Sequence, residues 1–171
     1  MHKRWIGLTV VLLCWVGAPG VCSGSAMYYF AYGSNMNHQQ MKQRCPNSRF
    51  IRKARLDGFR FVYDGNSRTR GGAVANIQES RAPGSVVWGG LFEIDEDDLA
   101  ALDRYEGHPR SYQRRTVTVR DEQGTDSEAI IYYRTGEDLG KPSGQYRTIV
   151  IEGAENCQLP WSYVASVLAG Q

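Results

Sequence analysis

Cysteine and histidine are scarce in this sequence, at four and three of 171 residues, and the shortage excludes whole classes of chemistry. Cys14 and Cys22 fall in an N-terminal stretch with the character of an export leader, which leaves only Cys45 and Cys157 for the folded part. Two cysteines make no disulfide framework, although they allow one bridge in an oxidising compartment. Beyond the leader the histidines are His38 and His108, far apart and without cysteine or carboxylate neighbours at zinc-like spacing, which argues against a metal site. An excess of one charge is missing as well. Setting residues 1–24 aside removes Lys3 and Arg4 and no acid, so 20 basic residues become 18 against 18 acidic ones. A formally neutral domain predicts no nucleic-acid or membrane partner. The basic stretch Arg49, Arg52, Lys53, Arg55 and Arg60 accordingly reads as a solvated strand face. Nor is there a long apolar run, since Ile6 to Val16 falls short of the ~20 residues that a spanning helix needs.

Two familiar signatures also fail. Gly136 to Ser143 is not a phosphate loop, because only three residues separate Gly136 from Gly140 and Pro142 follows Lys141 where a Ser or Thr is required. Ser34 follows a glycine at a strand end, but Met36 occupies the second glycine position of a nucleophile elbow, which leaves a serine hydrolase as an alternative only.

What is present begins with Lys3-Arg4 ahead of the Ile6 to Val16 run, then Pro19, Gly20 and small residues to Ala26, the pattern of a secretory signal over residues 1–24. Such a chain is exported, to a periplasm or the exterior, and keeps no stable membrane anchor once cut; a true start at Met27 would instead leave it cytoplasmic. The rest, residues 27–169, is long enough for one core and so reads as a single domain. Met27 to Tyr32 is an apolar and aromatic run of strand character, and Asn37 to Arg44 suits a short helix capped by Asn37 and ended before Pro46. Arg49 to Tyr63 fits a long strand broken near Asp57-Gly58, with a loop over Asp64 to Gly72. Ala73 to Ile77 and Val86 to Ile94 follow as strands, and Gly89-Gly90 marks a bulge or a close backbone approach in the second. The acids Asp95 to Asp98 open a helix carrying Leu99, Leu102 and Tyr105 on one face and ending at Tyr105. Thr116 to Arg120 and Glu128 to Arg134 make a hairpin around Gly124. Gln145 to Glu152 and Trp161 to Leu168 are helical, Pro160 opening the second. Regular strand-helix alternation is missing, so the fold class is α+β, a mixed sheet or barrel flanked by helices.

Two features point to chemistry. Tyr32-Gly33-Ser34-Asn35 sits between a strand and a helix, where backbone N–H groups can face a cleft and hold a small anion such as a carboxylate. Glu106-Gly107 follows a helix directly and precedes His108-Pro109, where a loop can hold an isolated carboxylate in a cleft; the alternative is an exposed loop acid.

Several segments resemble one family when taken together: Tyr29-Phe30-Ala31-Tyr32-Gly33-Ser34-Asn35, Asp64-Gly65-Asn66-Ser67, Trp88-Gly89, Leu102-Asp103 leading to Glu106-Gly107, and Gln145-Tyr146. In this order and spacing they are similar to γ-glutamylcyclotransferases over nearly all of residues 27–168, and Asn35 resembles the branch acting on γ-glutamyl amino acids. The resemblance implies a compact barrel-like sheet flanked by helices and no cofactor. It implies Glu106 as the catalytic acid and base, a substrate site made by Tyr29, Phe30, Ala31, Tyr32, Gly33, Ser34 and Asn35, and Tyr146 closing the pocket with its hydroxyl. Asn66 and Ser67 line the same pocket or form a surface turn. The expected partner is a small γ-glutamyl amide, whose own α-amine attacks the γ-carbonyl and closes 5-oxoproline while the amine leaves. Competing expectations are a non-catalytic binding module and an amide hydrolase on the same scaffold.

Overall fold

Residues 27–136 and 138–170 are described by a computed structural model; the expected leader over residues 1–24, its expected cleavage points, Cys14 and Cys22 lie outside the described residues. The chain opens with strand β1, Met27–Ala31, a single 3-10 turn at Ser34–Met36, and helix α1, His38–Arg44. Asn37 caps α1 as its residue type predicts, its side chain accepting from the Gln40 N–H at 3.0 Å. Strands β2 (Arg49–Asp57), β3 (Phe59–Ser67), β4 (Gly72–Glu79) and β5 (Val86–Ile94) follow. Helix α2, Glu96–Glu106, is capped by the Asp95 carboxylate, which accepts from the Asp98 N–H at 2.8 Å. The hairpin β6 (Gln113–Arg120) and β7 (Asp126–Tyr133) leads to α3, Gly144–Asn156, and to α4, Trp161–Tyr163, which widens into a π-helical turn over Val164–Leu168.

Five strands close a barrel in the order β1-β5-β2-β6-β7, and β3 pairs with β4 in a separate two-stranded sheet. The closure is a parallel contact of Tyr29 with Ile130, joining β1 to β7. Phe30, Leu91, Val87, Val119 and Ile131 fill the interior and are almost wholly buried. The glycines of β5 permit this packing. A Cβ on Gly89 would lie 2.3 Å from the Ala31 carbonyl oxygen and 2.8 Å from the Phe30 ring, and one on Gly90 would lie 2.5 Å from the Cys157 sulfur.

Several expectations change at this level. The stretch Arg49 to Tyr63 is two strands in two different sheets, divided at Gly58, and β3 runs on to Ser67 through the segment expected to be a loop. Gly89-Gly90 marks close approach, while the register irregularity falls across from β5, in β2 between Phe50 and Arg52. Helix α2 extends to Glu106, and Tyr105 is 56% exposed while Ala101 and Leu102 face the core. The Tyr105 ring instead lies under the Arg44 guanidinium, 4.7 Å from its centroid. Pro160 precedes the last helix as its cap instead of opening its first turn. Cys45 and Cys157 are separate, buried free thiols, and burial pushes both up to about 12. The basic strand face is neutralised locally: Arg49 pairs with Glu93, Arg52 with Asp121, Lys53 with Glu122 and Arg55 with Asp57, and Arg60 donates to Gln78. Among the described residues no helix is long and apolar enough to cross a membrane, and no cluster of three or more His, Cys, Asp or Glu side chains is placed to hold a metal.

Candidate active site

The end of β1 and the end of α2 meet at a cavity in two parts. The inner chamber is small, about 40 Å³, and the aromatic side chains Tyr29, Tyr32, Tyr112, Tyr132 and Tyr146 form much of its wall, with Gly33, Ser34, Asn35, Ala75 and Glu106 completing it. The outer cleft is about 930 Å³ and shares Ser34, Glu106, Tyr112 and Tyr146 with the chamber. Glu106 therefore stands at the neck between them. It is brought there by the end of α2, where Gly107 turns the chain away in the left-handed region (φ 65°) that a Cβ would disfavour.

The Glu106 carboxylate belongs to a connected network. Asn35 Nδ2 donates to Glu106 Oε1 and to the Tyr29 hydroxyl, each at 3.0 Å. Asn35 Oδ1 in turn accepts from Arg44 Nη1 at 2.8 Å and from Gln40 Nε2 at 3.1 Å. The amide thereby uses both donors and both acceptor lone pairs within the protein, so Asn35 holds the acid rather than offering free hydrogen bonds to a ligand. Gln40 also donates to Ser34 Oγ at 2.9 Å and accepts from Arg70 Nη2 at 3.0 Å. Arg44 approaches Glu106 at 3.7 Å, and the two side chains are 15% and 17% exposed. Burial raises the Glu106 pKa above the ordinary carboxylate range, and the opposing pull of Arg44, Asn35 and Arg70 does not cancel it. A carboxylate that holds its proton more readily than usual, beside a cleft, suits proton transfer in both directions.

Around this acid the tyrosines are anchored. Tyr146 OH accepts from the Ala75 N–H at 3.1 Å, and Tyr112 OH donates to the Ala75 carbonyl at 2.8 Å. Tyr132 OH donates to Asp103 Oδ1 at 2.6 Å, and Asp103 Oδ2 accepts from Arg114 at the same distance. Tyr32 OH donates to the Tyr132 carbonyl. Burial raises the pKa of all five chamber tyrosines, so they remain neutral phenols. No backbone carbonyl among the described residues accepts from the N–H groups of Ser34 and Asn35, as expected for the first turn of a helix. Ser34 and Asn35 both line the chamber.

Residues 29–148 match the family described as gamma-glutamyl cyclotransferase, AIG2-like. The chain belongs to this family. It is 34% identical over 146 residues to a γ-glutamylcyclotransferase of Bos taurus, covering 82% of this chain and 76% of the relative. A γ-glutamylcyclotransferase of Homo sapiens is 33% identical over 140 residues, covering 79% and 73%. A solved γ-glutamyl cyclotransferase superposes with a TM-score of 0.79 at 31% identity, over 85% of this chain and 88% of that one.

In this γ-glutamyl cyclotransferase family member, the segment from Tyr29 to Asn35 divides. Tyr29, Tyr32, Gly33, Ser34 and Asn35 reach the chamber together with Glu106 and Tyr146, whereas Phe30 and Ala31 do not line it. Both are fully buried in the core on opposite faces of β1, Phe30 against Gly89, which leaves neither facing the cavity. Asn66 and Ser67 line the outer cleft. The residues that sequence reasoning missed are Tyr112, Tyr132 and Ala75 in the chamber and Arg44, Arg70 and Arg134 in the cleft. Tyr132 lies in a predicted strand with no sign of which face turns inward. Arg44 has the ordinary appearance of a base in the last turn of a helix, and Arg70 that of a base in a polar loop.

Proposed function

We propose that the protein converts γ-glutamyl amides into 5-oxoproline and a free amine, with Glu106 carrying the proton. The observation that carries this reading is the isolated Glu106 carboxylate at the neck of the cavity, held by Asn35 and kept basic by burial. The glutamyl group enters the inner chamber and the leaving portion lies in the outer cleft. The substrate's α-amine nitrogen forms a bond to its γ-carbonyl carbon, and the bond from that carbon to the leaving nitrogen breaks. Glu106 takes the proton lost by the attacking nitrogen and delivers it to the leaving one. No water or oxidant enters the balance, and no cofactor is needed. The nucleophile is tethered, so holding the glutamyl chain folded supplies much of the rate through effective molarity. The N–H groups of Ser34 and Asn35 bind the α-carboxylate or the developing oxyanion, and neutral phenols around them keep the site dry.

The test runs the mature protein on γ-glutamyl-alanine in oxygen-18 water. Unlabelled 5-oxoproline is the expected acyl product, and acetylating the substrate's α-amine abolishes turnover. Glutamate carrying one labelled oxygen as the first product identifies a hydrolase and overturns the cyclotransferase reading, even if Glu106 is essential. A chain that binds these amides without turning them over is a binding module.

A further inference from the structure

Among the described residues the inner chamber has no Lys or Arg in its wall, whereas the outer cleft carries Arg44, Arg70, Arg104, Arg110 and Arg134, with Glu106 as the acid that lines it. On a domain with balanced formal charge this is a local concentration of positive charge. Arg44 is already committed to Glu106 and Asn35. Arg70, Arg104, Arg110 and Arg134 make no ion pair with a carboxylate among the described residues, in contrast to Arg49, Arg52, Lys53 and Arg55.

Two of the four are held in position. Arg70 donates to Gln40 Oε1 at 3.0 Å, and its guanidinium lies 5.4 Å from the centroid of the Tyr146 ring. Arg134 is fixed from its backbone: its N–H donates to Asn76 Oδ1 at 2.9 Å and its carbonyl accepts from Asn76 Nδ2 at 3.2 Å. Fully buried Asn76 is itself tied to Asp64 at 2.9 Å. The Arg134 guanidinium fills the space beside Gly65, where a Cβ would lie 2.0 Å from Nη1, and it sits 5.9 Å from the centroid of the Tyr112 ring. The Asp64-Gly65 motif thus builds a berth for a cation at the cleft wall. Arg104 and Arg110 are exposed at the cleft, to either side of Gly107.

We infer that the outer cleft selects an acidic leaving portion, one that carries at least two carboxylates, with Arg70 and Arg134 as specificity-determining residues. This rests on the cyclotransferase reading for its orientation. The α-carboxylate of an ordinary leaving amino acid is satisfied by one bidentate arginine. Four arginines without carboxylate partners exceed that need, and their mutual repulsion falls when further negative charge binds.

The experiment compares kcat/KM for γ-glutamyl-glutamate, γ-glutamyl-alanine and γ-glutamyl-alaninamide. In parallel, calorimetry measures binding of glutamate, alanine and alaninamide to the full mature chain. The expected order in both series is dicarboxylate, monocarboxylate, neutral, with each added carboxylate worth about tenfold or more at low salt, as charge-assisted hydrogen bonds support. In Arg134→Gln, and independently in Arg70→Gln, the ratio between the glutamate and alaninamide substrates contracts, mainly through KM, and Arg134→Lys restores part of it. A purely structural role would lower all three substrates together and leave the ratio intact. Equal turnover of the dicarboxylate and monocarboxylate substrates, or an unchanged ratio in both Arg→Gln variants, overturns the inference while the cyclotransferase reading stands. Charge-ranked binding with no 5-oxoproline from any substrate overturns the cyclotransferase reading and leaves the acidic-ligand site standing.

Discussion

Replacing Glu106 by Gln separates the catalytic role proposed for this residue from its structural one. Gln keeps the size of the side chain, and its carbonyl oxygen can still accept from Asn35 Nδ2, now 3.0 Å from Oε1. Only the charge and the ability to carry a proton are lost. Loss of a general acid-base group costs at least about 100-fold in kcat, or about 2.7 kcal/mol of transition-state stabilisation. The effect on stability has the opposite sign. Burial raises the folded-state pKa of Glu106, so its charged form is less favourable in the folded protein than in the unfolded chain. Against that relief stands the loss of the Arg44 contact at 3.7 Å and the exchange of a charge-assisted hydrogen bond for a neutral one, roughly half as strong. The balance leaves Glu106→Gln no less stable than wild type at neutral pH, because the burial penalty on the charged form outweighs the contacts that favour it. The gap closes as pH falls, because the stability that protonated Glu106 contributes is present below the unfolded carboxylate pKa and is lost as pH rises through its raised folded value. Steady-state formation of 5-oxoproline and scanning calorimetry from acid to neutral pH measure both quantities. Near-normal kcat would refute the assignment of Glu106, and a Tm several degrees below wild type at neutral pH would refute the electrostatic argument.

Other perturbations follow from the same contacts. With Glu106 acting as base, kcat/KM rises with pH to an inflection above the ordinary carboxylate range; Asn35→Ala removes a hydrogen bond that lowers the Glu106 pKa and moves the inflection to higher pH, and an unmoved or lowered inflection contradicts this. Tyr146→Phe removes the acceptor of the buried Ala75 N–H, at a cost of about 1–3 kcal/mol in chemical denaturation, and an unchanged midpoint would show that another group accepts. Gly89→Ala drives a Cβ to 2.3 Å from the Ala31 carbonyl oxygen, so overpacking of roughly 1–3 kcal/mol lowers Tm through the barrel core; a Tm equal to wild type would mean that β1 and β5 part without penalty.

What the residues decided alone is local. Asn37 and Asp95 read as helix caps because their short polar side chains can reach the next turn's N–H groups, and each does so. The alternation around Gly124 made a hairpin legible because both strands lie within one short segment. The motif at Tyr32 to Asn35 and the pair Glu106-Gly107 marked two sides of the cavity that forms the candidate site, since a strand end, a helix start and a helix stop each have their own sequence signature. Tertiary structure decided what meets across the chain. Which tyrosines turn inward depends on closing β1 against β7 at Tyr29 and Ile130, a parallel contact with no local signal. The division of Arg49 to Tyr63 between a barrel and a two-stranded sheet follows from partners far along the chain, so an unbroken β pattern could not reveal it. Arg44, Arg70 and Arg134 look like ordinary surface bases in sequence. They become a cleft only because α1, the end of β3 and the end of β7 are packed around Glu106, and burial there, absent from any single segment, is what raises the pKa of the acid.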